Sequence, residues 1–182
     1  MLLDFSQNHF ELFGLSPDYQ VDCEQLSERY RALQQTLHPD RFAAAGERER
    51  RLSMQASTRV NEAYRILKDP LARARYLLSL HTDGSSADKE TTKDAVFLME
   101  QMEQREALAE AKAQLDPYAV LAKVMDRLAE QAEQLVAQLT VRLDTPNPGD
   151  LEEAHELVRK LQFVNKCRAE AEQVEAELDD AL

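Results

Sequence analysis

The sequence predicts an all-α chain made of two helical modules, on three observations. Apolar residues recur at steps of three and four, the spacing of one helical face, over Leu26, Tyr30, Leu33, Leu37 and again over Leu52, Ala56, Val60, Ala63, Leu67. The same spacing returns over Leu121, Met125, Leu128, Ala132, Leu135, Leu139, beyond a polar stretch containing Gly84, Ser85 and Ser86. No segment shows the alternation of apolar and polar residues that marks a half-buried strand. At 182 residues the chain suffices for one ordinary domain or two small ones.

Each element has its own signals. Residues 5–13 read as a short aromatic helix with Phe5, Phe10 and Phe13 as core contacts. Asp22 is a good N-cap for the second helix, and Gln25 stands where a capping box would place it. Pro39 ends that helix, since its ring removes a backbone donor and pushes the preceding residue out of the α region. A polar loop through Gly46 leads to the third helix, so two zipped helices form a hairpin with His38, Pro39 and Asp40 at its tip. Asp69 and Pro70 open a fourth helix whose leucines are too numerous for a solvent-facing one. Residues 82–93 read as a linker, and from Asp94 three further helices follow. The first runs over roughly 94–114, and Asp116-Pro117 opens the second. Thr145 to Gly149 breaks that helix, and Asp150 with Glu153 caps a last one carrying Leu157, Leu161, Val164, Ala171, Val174 and Leu178. A bare coiled coil needs no Pro-Gly break, so these three helices predict an antiparallel bundle.

Composition excludes several functions. No run of 18 apolar residues is present, and Met1 to Ser6 lacks the basic start of a signal peptide. Cys23 and Cys167 belong to no C-x-x-C pair, which argues against a thiolate zinc site and fits free thiols in a reducing cytoplasm. His9, His38, His81 and His155 lie in four separate segments, so a histidine metal site ranks last; no metal or cofactor is expected. The net charge of −12 argues against nucleic acid. Residues 1–83 carry 11 basic and 12 acidic side chains, whereas the rest carries 11 and 22. That asymmetry fits two modules meeting two partners, or an acidic bundle that is merely soluble.

The tip admits three readings: a Pro-capped turn, a recognition loop, or a His–Asp dyad. A dyad needs a pocket, and a tip between helices is convex. The surrounding order narrows this. An aromatic helix (His9-Phe10-Glu11-Leu12-Phe13), the hairpin with its His-Pro-Asp loop, and Val60-Asn61-Glu62-Ala63-Tyr64-Arg65-Ile66-Leu67 closed by Asp69-Pro70 resemble the J-domain of DnaJ-type co-chaperones over residues 5 to about 80. The resemblance implies that His38, Pro39 and Asp40 engage a DnaK-type ATPase, with basic residues near the hairpin (Arg29, Arg31, Arg41) steering the approach. Arg29 and Arg31 lie off the apolar stripe and are expected to face water or a partner. Glu24 and Glu28 stand where J-domains are usually richer in lysine, which points to a specialised partner.

The second module has one informative stretch, residues 95–106. Val96, Phe97, Leu98 and Met99 point all around a helix and cannot share one core. Ordinary core packing accounts for part of this stretch; exposed Leu and Met rimmed by carboxylates would instead form an adaptable docking patch. Together with Leu77-Leu78-Ser79-Leu80-His81 and Val158-Arg159-Lys160-Leu161-Gln162-Phe163, the stretch is similar to the HscB family, co-chaperones of iron–sulfur cluster assembly, across essentially the whole chain. The resemblance implies domains at 1–81 and 94–182 with the linker at 82–93, no enzymatic activity, and two partners. These are an HscA-type ATPase chaperone and an IscU-type scaffold held by Leu98, Met99, Met102, Glu103, Glu106 and Phe163. A general holdase for apolar segments is the alternative, weakened by the lack of Gly/Phe-rich and Cys-rich regions. A cytoplasmic monomer is expected.

Overall fold

The computed structural model describes residues 4–38, 42, 46–81, 92–111, 113–144 and 146–180. All seven helices among them are α1 (His9–Leu12), α2 (Cys23–Leu37), α3 (Glu47–Lys68), α4 (Pro70–His81), α5 (Ala95–Ala111), α6 (Pro117–Leu143) and α7 (Pro148–Asp179), and the described residues contain no strand. The chain divides into two compact units, Met1–His81 and Thr82–Leu182.

In the first unit α2 and α3 zip together as their stripes require. Leu26, Leu37, Ala56, Val60, Ala63 and Leu67 are buried, each larger side chain contributing roughly 1.5–3 kcal/mol. Leu52 is only half-buried and Ser53 takes the inward place. Its hydroxyl donates to the Leu37 carbonyl at 3.0 Å, which satisfies an orphan acceptor at the end of α2. The Tyr30 and Tyr64 rings stack at 4.0 Å across the hairpin. Asp22 caps α2 by accepting from the Glu24 and Gln25 amides.

The start of the chain departs from expectation. Helix α1 begins at His9, because Asn8 and Glu11 form a reciprocal capping box there. Phe10 and Phe13 are buried, but Phe5 precedes the helix and is 41 % exposed. Two cross-links hold α1: the His9 amide donates to the Tyr76 hydroxyl at 2.9 Å, and Arg59 donates to the Gln7 carbonyl at 2.6 Å. Helix α4 opens at Pro70, with Asp69 accepting from the Ala72 amide, and buries Ala74, Leu77 and Leu78.

The second unit is a three-helix bundle in which α6 and α7 form the long antiparallel pair and α5 packs on both. Helix α6 buries Leu121, Val124, Leu128, Ala132, Leu135, Leu139 and Leu143; Val124 replaces the expected Met125, which is half-buried. Asp116 caps α6 as its sequence indicates. Helix α7 starts earlier than expected. Asn147, not Asp150, is the cap, and Asp150 returns the bond to the Asn147 amide. Pro148 can occupy the first helical position because no hydrogen bond is lost there. Buried positions on α7 run from Ala154 to Ala171; Val174 and Leu178 are half-buried. Most of the expected linker lies outside the described residues. Its last threonine, Thr92, is buried and its hydroxyl donates to Glu156 of α7.

Candidate functional site

At the hairpin tip His38 closes α2 with φ −57° and ψ 132°, the extended geometry that a following proline imposes, and it is exposed. Pro39, Asp40 and Arg41 lie outside the described residues. The two arginines of α2 part company. Arg31 is exposed, and its Nε donates to the Ser27 carbonyl one turn back at 3.2 Å. Arg29 corrects the sequence reading: it is half-buried, and its guanidinium donates to the carbonyls of Phe13 and, at 2.6 Å, Gly14. Gly14 turns the chain with φ +61°, a conformation that favours glycine, and this turn aims both carbonyls at the arginine. Arg29 therefore ties α1 to α2 and caps the end of α1.

The other surface is the outward face of α5. Its inner stripe is Phe97, Gln101, Gln104, Leu108 and Ala111. The opposite side carries Val96, Met99 and Met102, exposed at 70, 64 and 63 %, with exposed Glu103 and Glu106 between and beyond them. At about 100° per residue, Met99, Met102, Glu103 and Glu106 fall within one outward sector and Leu98, half-buried, at its margin. Val96 belongs to the same exposed surface.

Phe163 reaches this region from α7. Its ring meets Phe97 edge-on, centroids 6.1 Å apart, and the Arg105 guanidinium lies 4.9 Å above it. Glu170 holds Arg105 by a two-pronged pair at 2.9 and 3.1 Å. One turn away Lys160 covers Phe97 at 5.5 Å and bonds Asp94 at 2.6 Å. The Lys160 hydrogen bond, followed by the Phe97 amide, holds the Asp94 carboxyl below its usual range. All six residues expected on the scaffold-facing side thus lie on α5 or beside it. Arg105 and Lys160 act through cross-helix cation–π geometry that helical periodicity does not announce.

Among the described residues no group of three His, Cys, Asp or Glu is placed to hold a metal, and no helix is long and apolar enough to cross a membrane. Cys167 is buried, which pushes its thiol up, and Cys23 is exposed; both are free.

A His-Pro-Asp hairpin on a small helical unit, followed by a bundle with an apolar outward face, defines a J-domain co-chaperone. The DnaJ domain family model matches residues 8–76 and the HSCB C-terminal oligomerisation domain model matches residues 93–172. The co-chaperone HscB homolog of Shewanella loihica is 44 % identical over 168 residues, 92 % of this chain and 97 % of that one. The structure of the chaperone HscB from Vibrio cholerae superposes with a TM-score of 0.82 at 41 % identity, covering 94 % of this chain and 99 % of that one. Human co-chaperone protein HscB gives 0.82 at 28 % identity, over 96 % of this chain and 83 % of that one. The chain belongs to the HscB family, whose members are co-chaperones rather than enzymes.

Proposed function

We propose that this protein is a two-contact adaptor of cytoplasmic iron–sulfur cluster maturation: its bundle holds an IscU-type scaffold while its hairpin tip stimulates an HscA-type ATPase. The observation that carries this reading is the outward face of α5, where Met99 and Met102 stand about two-thirds exposed among carboxylates. Thioether side chains in water are costly unless a partner covers them, and their flexibility suits a surface that must release its cargo. Glu103 and Glu106 favour a partner with a basic rim, and Leu98 and Phe163 extend the apolar area. In the first unit His38, Pro39 and Asp40 would meet the ATPase, with Arg31 and Arg41 guiding the approach and Arg29 bracing the hairpin through the Phe13 and Gly14 carbonyls. Holding both partners raises the local concentration of one for the other and favours the hydrolysing state of the ATPase.

The test is steady-state ATP turnover by the HscA-type chaperone with this protein and apo scaffold added singly and together. Stimulation greater than the sum of the separate effects is expected. Stimulation indifferent to the scaffold would leave a J-domain protein with another client, and no stimulation would remove the adaptor reading altogether.

A further inference from the structure

Arg105 is a cation set among the carboxylates of the docking side, with Glu103 and Glu106 close to it along α5. On charge alone it opposes the basic-rimmed partner that those glutamates favour. Its place on the helix gives it another task. At about 100° per residue it falls about 20° from Leu98, on the margin where the outward face of α5 meets α7. A partner that covers both Met102 on α5 and Phe163 on α7 therefore passes over Arg105.

The side chain is braced before any partner arrives. Glu170 holds both prongs of the guanidinium, at 2.9 and 3.1 Å, and both side chains remain partly exposed. The same guanidinium lies 4.9 Å over the Phe163 ring, which meets Phe97 edge-on. Phe163 is only half-buried, so without the guanidinium its ring is freer to turn away, and ordering it again on binding costs affinity. An arginine already answered by a carboxylate also gives up less when a partner excludes water from it. We propose that Arg105, pinned by Glu170, is a positioning residue for docking: it holds the Phe163 ring in place at the rim of the α5 face. This rests on the scaffold-docking role proposed above, and it predicts the opposite sign from charge alone.

The experiment is calorimetric titration of apo IscU-type scaffold into the parent, Arg105→Gln, Phe163→Leu and the double variant. Arg105→Gln should weaken binding about fivefold or more, although it removes a positive charge facing a basic partner. In the Phe163→Leu background the same change should weaken binding less than about twofold, because the ring it positions is gone. Without scaffold, fluorine NMR of protein carrying 4-fluorophenylalanine follows the ring itself. The Phe163 resonance, assigned by its loss in Phe163→Leu, should shift in Arg105→Gln. Tighter or unchanged binding, an equal loss in both backgrounds, or an unmoved Phe163 resonance overturns the proposal. A parent that binds no scaffold removes the docking role itself, and the positioning role with it. Should Arg105→Gln fail to fold, Glu170→Gln leaves the guanidinium present but unpinned and should weaken binding about twofold or more, with no such loss beside Phe163→Leu. Equal losses there also overturn it.

Discussion

Helices α2 and α5, of 15 and 17 residues, each carry a candidate docking surface, yet they are built in opposite ways. Helix α2 buries Leu26 and Leu37 and turns mainly polar residues to water, so its face toward a partner is polar and its seat apolar. Helix α5 buries two glutamines and exposes Val96, Met99 and Met102, so its face is apolar and its seat partly polar. A polar surface on a firm apolar base suits a contact that acts through charge and geometry at a fixed tip. An apolar surface on a polar base suits a contact that binds through area, at the expense of bundle stability. The two surfaces should therefore fail differently when mutated.

The tip should fail in function alone. Asp40→Asn keeps shape and removes one charge, and it should abolish ATPase stimulation while thermal unfolding stays unchanged. Retained stimulation at parental stability would remove Asp40 from the contact. The face of α5 should fail in affinity. Met99→Ala with Met102→Ala removes two exposed side chains, so unfolding should shift little, while scaffold binding weakens by about 2 kcal/mol or more, roughly thirtyfold or greater. Calorimetric titration of scaffold into the variant checks this, and stimulation without scaffold should survive. If both variants lost stability instead, the contrast between the two helices would collapse.

How much of this was legible in the sequence follows the same division. The stripes of α2, α3, α6 and α7 were readable because one side of each is apolar over most of its length, and the caps at Asp22, Asp69 and Asp116 because a short acceptor precedes each run. The outward face of α5 was readable from a contradiction, four successive apolar residues that no single core can take. Its glutamine seat was not, because the acceptor that pairs with the buried Gln101 and Gln104 amides, Gln131, lies about thirty residues away. Arg29 was misread for the same reason. Off-stripe placement says that a side chain leaves the α2–α3 seam, but the Gly14 turn decides what it meets. Asn147 was passed over for Asp150 because proline at a first helical position is silent in a periodicity count.

Arg29 and Arg31 sharpen the comparison within α2 itself. Arg29→Ala should leave the Phe13 and Gly14 carbonyls without their shared donor and cost about 1–3 kcal/mol, read as a lower midpoint in urea. Arg31→Ala should leave the midpoint within about 0.5 kcal/mol and instead slow association with the ATPase, more so at low salt. Equal stability losses would mean that both arginines are structural, and the steering role would fall to other cations.

The smallest expected effect separates the units by pH. His9 packs its ring on Tyr76 at 4.2 Å, and its Nδ1 is buried without a partner. Burial is the main cause that pushes its pKa below the ordinary value; Arg59 adds to this and Glu62 opposes it. Since the unfolded chain then binds the proton more readily than the folded one, stability is fully present above about pH 6.5 and declines as pH falls toward the folded pKa. In the bundle, by contrast, Asp94 is held below its usual range by Lys160 and matters only in stronger acid. Mild acid should thus weaken the first unit before the second. Amide exchange followed unit by unit between pH 7.5 and 5.5 should show faster opening of α1 and α4 at the lower pH, after correction for the intrinsic rate, with α6 and α7 unchanged. His9→Gln should flatten the difference, because a side chain that cannot be protonated leaves nothing to link folding to pH; a response that persists in this variant would place the sensitive group elsewhere.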